Sequence, residues 1–204
     1  MQLALTTADP GIVCAVAPHG ETAVIVRVLT RDAGLVGAYV AGGRGRQLRP
    51  VLIPGNLVAG EIRSRAESQL PFARLELVAS RGPWLGEPLA SAAIGWATAL
   101  AATALPERQP FRALHGALAA LLDAVCAAPS ARGWLPGLVA YEALTLRELG
   151  YGAPARLPDP DDTPAQLALL DRLGERLARY ALAHRQSDVM AARAILRDRL
   201  GRIG

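Results

Sequence analysis

The sequence contains no lysine; all 22 of its basic side chains are arginine. That excludes Schiff-base chemistry, a lysine general base and a Walker-type phosphate loop, each of which needs a primary amine. Cysteine is almost as scarce. Cys14 and Cys126 lie far apart among apolar residues, and no Cys-x-x-Cys occurs. Two thiols cannot build a four-cysteine zinc site, so both read as small buried hydrophobes in a reducing compartment. Aromatics make up only 4% of the chain, and His19, His115 and His184 are scattered singly. There is no His-Glu-x-x-His and no Gly-x-Ser-x-Gly elbow. Gly43-Arg44-Gly45 begins like a dinucleotide fingerprint, but Leu48 stands where the third glycine belongs. Asp159, Asp161 and Asp162 are interleaved with proline in a pattern unlike an EF-hand and read as a solvated linker. These absences predict a protein that is not an enzyme, with no metal and no cofactor.

Long apolar runs are missing as well. Met1–Pro10 has no basic n-region of a signal peptide, and the expected location is cytoplasmic. The nearest approach to a membrane span, Leu89–Leu105, is short and built largely of alanine and threonine, which suits a buried bundle helix better.

What remains is a chain of 204 residues, 51% apolar and 20% charged, enough for one large domain or two small ones. The first eighty residues read as strands: Gly11–Ala17, Thr22–Thr30, Gly34–Ala41, Val58–Ala66 and Phe72–Ala79. Pro18-His19-Gly20 forms the first turn, and Val51–Pro54 is a short apolar helical turn or bridge. Five short strands joined by glycine-rich turns predict a closed barrel, the count favouring an OB-fold over an SH3-like barrel. Residues 81–88 form a Pro/Gly-rich linker, after which the period becomes helical. Helices are expected at Leu89–Leu105, over Phe111–Val125, at Leu135–Leu149, along the Leu167, Leu170, Leu173, Leu177 and Tyr180 face, and after an N-cap at Ser187. The fold class is therefore α+β, with a five-stranded barrel at 1–80 and a helical domain at 89–204.

The arginines are unevenly placed. Residues 1–81 hold nine arginines and six acids, whereas 82–204 hold thirteen and twelve. Arg27, Arg31, Arg44, Arg46 and Arg49 face one acid, Asp32, between Thr22 and Pro50. Three of them sit in the glycine loop 42–50, where guanidinium forks can meet phosphate oxygens. Arg63 and Arg65 are two apart, on one face of a strand. With few stacking platforms, chiefly Tyr39 and Phe72, affinity should come mostly from phosphates and tolerate any sequence. A protein adaptor with a solvated loop and an RNA-binding OB protein are the alternatives these residues leave open.

The order of short segments resembles the RecO family of bacterial recombination mediators, in its alphaproteobacterial form. The segments are Gly11-Ile12-Val13, Pro18-His19-Gly20-Glu21-Thr22, Leu29-Thr30-Arg31, Leu48-Arg49-Pro50-Val51-Leu52, Pro54-Gly55-Asn56, Arg63-Ser64-Arg65, Leu105-Pro106-Glu107-Arg108, Leu121-Leu122-Asp123, and Tyr141-Glu142 through Leu149-Gly150-Tyr151. The resemblance implies an OB-fold joined to a helical domain that binds single- and double-stranded DNA and anneals strands. It also implies work with RecR and with the acidic tail of single-strand-binding protein, so that RecA loads on gapped DNA. Arg31, Arg44, Arg46 and Arg49 stand at matching positions for DNA contact. An acidic tail would need an apolar groove rimmed by arginine, with Arg108 and Arg112, or Arg172, Arg176 and Arg179, as candidates. Many relatives insert a four-cysteine zinc module after the segment matching Leu149-Gly150-Tyr151. Here Pro154–Pro164 follows instead, so the resemblance predicts no zinc.

Overall fold

The computed structural model describes residues 2–6, 8–64, 69–152, 156–183 and 188–202. Six strands come first: β1 (Gln2–Leu5), β2 (Gly11–His19), β3 (Ala23–Thr30), β4 (Gly34–Val40), β5 (Leu57–Arg63) and β6 (Phe72–Ala79). Antiparallel pairing runs β2–β3–β4, a parallel bridge at Tyr39 and Phe72 joins β4 to β6, and β6 pairs with β5. β5 returns to β2 at Gly11–Val58 and Ile12–Leu57, which closes the barrel. β1 lies along the rest of that same edge, Gln2 opposite Arg63 and Leu5 opposite Gly60, so β1 and β2 together fill one position of a five-position, OB-type barrel.

Strand alternation explains what the barrel holds. Val24, Val26 and Val28 of β3 face Val40, Ala38 and Val36 of β4, and all six are buried in the interior with Val13, Val58, Ile62 and Leu75. Cys14, two residues after Ile12, points away from that interior by ordinary alternation, and the register shift between Val13 and Ala15 leaves Ala15 on the same side. Cys14 instead joins Ile12, Leu29 and Leu35 in a second core that belongs mainly to the helices.

The helices are α1 (Pro88–Ala104), α2 (Arg112–Ala127), α3 (Leu135–Glu148), α4 (Thr163–Arg176) and α5 (Asp188–Leu200), with a 3₁₀ turn at Gly82–Gly86 before α1. α1 packs against α5, α2 and β2, burying Ile94, Trp96, Ala97, Leu100 and Ala101. That central position accounts for its uncharged sequence. No helix among the described residues is long and apolar enough to cross a membrane. Proline opens α1, α3 and α4, and the Asp162 carboxylate caps α4 by accepting from Ala165 N at 2.9 Å.

One expected face differs. α4 ends in a π turn, Leu177–Ala181, which inserts an extra residue and rotates the helix surface. Leu170, Leu173 and Leu177 are buried as the spacing predicts, but Tyr180 is turned outward, where its ring stacks on Tyr151 with centroids 5.6 Å apart. The Ser187 cap expected for the last helix lies outside the described residues.

Polar contacts brace the helical core. Arg193 of α5 is buried; its Nε and Nη2 donate to Glu142 of α3 at 3.0 and 2.9 Å. Trp96 Nε1 donates to the same carboxylate at 2.8 Å. Burial pushes the Glu142 carboxyl up, against the pull of the Arg193 charge and the hydrogen bonds from Arg193 and Trp96. At the barrel junction, Gly34 has φ +70° and packs so tightly on Gln109 that a Cβ would strike its backbone carbonyl.

Candidate nucleic-acid interface

The segment between β4 and β5 is a series of hydrogen-bonded turns rather than the flexible loop its glycines suggest. Gly45 N donates to Gly42 O at 2.8 Å, Arg49 N to Gly45 O at 3.0 Å and Leu52 N to Leu48 O at 3.0 Å. Both ends are pinned. Arg44 N donates to Thr22 O at 3.0 Å, and the Arg44 guanidinium donates to Glu21 O at 3.0 Å. At the far end Asn56, fully buried, donates to Pro50 O at 2.8 Å and Val51 O at 3.0 Å. Its Oδ1 accepts from Arg81 N at 2.7 Å. Asn56 therefore holds the basic segment, a role that residue counting does not reveal.

On this frame Arg44, Arg46 and Arg49 are exposed, and among the described residues none of the three is paired with a carboxylate. Arg44 and Arg49 flank a cavity of about 410 Å³ whose floor is Val16, Pro18, Val24 and Leu52. Arg49 also borders a shallower depression with Arg46, Pro50 and Ile53.

The other arginines do not join this group. Arg27 lies on the helical side of the barrel: its Nη1 donates to Ala102 O and its Nη2 to Glu107 at 3.0 Å, clipping β3 to the end of α1. Arg31 is exposed in the β3–β4 turn, at the opposite end of β3 and about 20 Å of strand away. Its neighbour Asp32 accepts from Arg112 Nε at 2.8 Å. Arg81 is buried and pairs with Asp123 of α2. Arg63 is exposed at the end of β5 and pairs with Glu61 at 2.8 Å, whereas Arg65 lies outside the described residues.

Aromatic rings gather beside the basic segment. Pro18 and His19 belong to β2 rather than to a turn, which starts at Gly20. His19 therefore meets Tyr39 of β4 edge-on at 5.8 Å, and Tyr39 meets Phe72 of β6 at 5.2 Å.

On the helical region, Arg108 has φ 59° and donates its backbone N–H to Leu35 O at 2.9 Å. Arg172 is exposed, Arg176 donates to the carbonyls of Tyr151 and Gly152, and Arg179 lies over the Tyr180 ring at 5.3 Å. Of the histidines, His115 is buried with Nε2 3.1 Å from Pro10 O, and His184 is outside the described residues. Among the described residues no group of three or more His, Cys, Asp or Glu side chains could hold a metal ion. The Cys14 thiol, enclosed between the two cores, is pushed up to about 12 by burial.

Fold and surface define a class: an OB-type barrel carrying a rigid, arginine-bearing segment and fused to a helical region. Comparison with known proteins gives the family. The model for the N-terminal part of Recombination protein O matches residues 1–81, and that for its C-terminal part matches 85–155. A DNA repair protein RecO of Rhodospirillum rubrum is 37% identical over 194 residues, 92% of this chain and 76% of the relative. Those of Rhodospirillum centenum and Paracoccus denitrificans are 41% and 40% identical over 145 and 140 residues, 71% and 69% of this chain. In these two the match spans little more than half of the relative's own length, 56% and 57%. The chain belongs to the RecO family.

Proposed function

We propose that this chain is a recombination mediator in DNA repair. It holds single- and double-stranded DNA without reading sequence and anneals complementary strands. With RecR it helps to load RecA on DNA coated by single-strand-binding protein. The observation that carries the reading is the trio Arg44, Arg46 and Arg49, exposed on a segment pinned by Thr22 and Asn56. Guanidinium groups held in place grip phosphates at a smaller entropic cost than mobile ones. Two strands repel through their phosphates; cations presented to both lower that repulsion and raise local concentration, so that pairing nucleates. The protein makes and breaks no bond in this scheme and needs no metal.

Arg31 and Arg63 extend the same reading to the two ends of the barrel, with Arg65 beside Arg63 in sequence. Arg27, held by Glu107 and Ala102, serves as the joint between barrel and helices. In the helical region the arginine-rimmed surfaces at Arg108 and Arg112, or at Arg172, Arg176 and Arg179, receive the acidic tail of single-strand-binding protein. The test is strand annealing and duplex binding across a salt series with Arg44, Arg46 and Arg49 changed to alanine. Each lost phosphate contact lowers the slope of log K against log salt by about 0.9, so the triple variant loses up to about 2.7. An unchanged slope and unchanged annealing remove the segment from the mechanism.

A further inference from the structure

The arginine segment accounts for phosphates, and a phosphate looks much alike in one strand or two. The neighbouring outer face of the barrel carries groups that would tell them apart. His19, Tyr39 and Phe72 come from three different strands, and edge-to-face packing at 5.8 and 5.2 Å holds them in a row. Phe72 is 63% exposed, the most open large apolar side chain among the described residues. A single exposed ring needs no explanation, but a contiguous row of three rings on one outer face marks a candidate ligand surface. Both ends of the row are cationic. Arg63 stands opposite Phe72 in the β5–β6 register. Arg44 is fastened to the carbonyls of Gly20 and Glu21, beside His19. Arg63 shares its charge with Glu61, but that pair is half-exposed and yields to a phosphate at little cost.

A row of flat aromatic rings bounded by guanidinium groups suits a ligand that alternates flat, stackable groups with anions. A nucleic acid strand has that character when its bases are unpaired. In a duplex the same base faces are hidden in the stack, and only the phosphates are presented. We propose that His19, Tyr39 and Phe72 form a base-stacking platform selective for single-stranded DNA, with Arg63 and Arg44 taking the flanking phosphates. The proposal rests on the DNA-binding reading above and adds to it the discrimination between one strand and two.

The experiment compares three ligands of equal length: an oligothymidine strand, a duplex, and an abasic strand that keeps the phosphates and lacks the bases. Phe72→Ala weakens binding of the oligothymidine strand about tenfold. It leaves the duplex and the abasic strand at wild-type affinity. Phe72→Trp keeps the oligothymidine affinity, and its indole fluorescence falls on adding that strand but not the abasic one. Far-UV circular dichroism establishes that both variants are folded. Equal losses on all three ligands, or no loss on any, overturn the platform. A wild-type chain that binds none of the three overturns both this inference and the reading beneath it. Selective loss in Phe72→Ala with no effect of changing Arg46 and Arg49 together to alanine upholds the platform and dismisses the rest of the loop; no effect of Arg44→Ala on the oligothymidine strand removes Arg44 from the platform.

Discussion

Arg193→Met tests the reasoning about the helical core most directly. The wild-type guanidinium is buried, donates twice to Glu142, also donates to the Leu170 carbonyl, and lies against Gly174, where a Cβ would collide with it. Methionine matches much of the volume but leaves the fully buried Glu142 carboxylate with Trp96 Nε1 as its one remaining donor among these groups. Breaking a buried pair from one side costs about 3–5 kcal/mol. In a chain of this size each kcal/mol moves Tm by about 2–4 °C, so the variant should melt about 10 °C lower. Adding Glu142→Leu removes the stranded charge. The double variant should recover most of the loss, because an apolar replacement of both partners is often neutral or better. Thermal melts followed by far-UV circular dichroism read the stability, and the change in tryptophan emission between wild type and variant reports the surroundings of Trp96. A single variant within about 1 kcal/mol of wild type would refute the argument, as would a double variant no more stable than the single.

Gly34→Ala should destabilise the protein by at least about 2 kcal/mol in denaturant titration, because it combines a left-handed backbone with a collision against the Gln109 carbonyl. Cys14, with its thiol pushed up to about 12 and its side chain enclosed, should stay unmodified by a thiol reagent in the native protein. Cys126, only partly buried, should react first; equal native rates for the two would contradict the burial argument. The Arg197 hydrogen bonds hold the Asp171 carboxyl below its usual range, so the stability it lends is present above the unfolded carboxyl value and is lost as pH falls through the lower native one. Asp171→Asn should therefore cost about 0.5 kcal/mol or less near neutrality and nothing near about pH 2, as read by paired urea melts.

Much of this was legible in the residues because period and burial agree. The alternation of Val24, Val26 and Val28 marks an inward face, and the steps of three and four from Leu114 to Val125 mark α2. β1 was not legible: four residues pair with β5 some sixty positions later, and nothing local announces that partner. The π turn at Leu177–Ala181 likewise has no proline or glycine to signal it, and so the leucine spacing points Tyr180 to the wrong side. In the candidate site, loop composition pointed to Arg44, Arg46 and Arg49. The same arithmetic groups Arg27 with the loop arginines, although it turns toward the helices, because charge totals carry no direction. Pro18 and Gly20 on either side of His19 suggest a turn, yet β2 runs straight through Pro18 to His19.

Ile12, Cys14, Leu29 and Leu35 sit on barrel strands and pack inside the helical core. This leaves no swivel between the halves. Whatever the barrel grips is carried at a set angle to whatever docks on the helices, like a tool fixed to its handle. Cutting the chain near residue 82 would not release two working parts; it would strip an apolar flank bare on each.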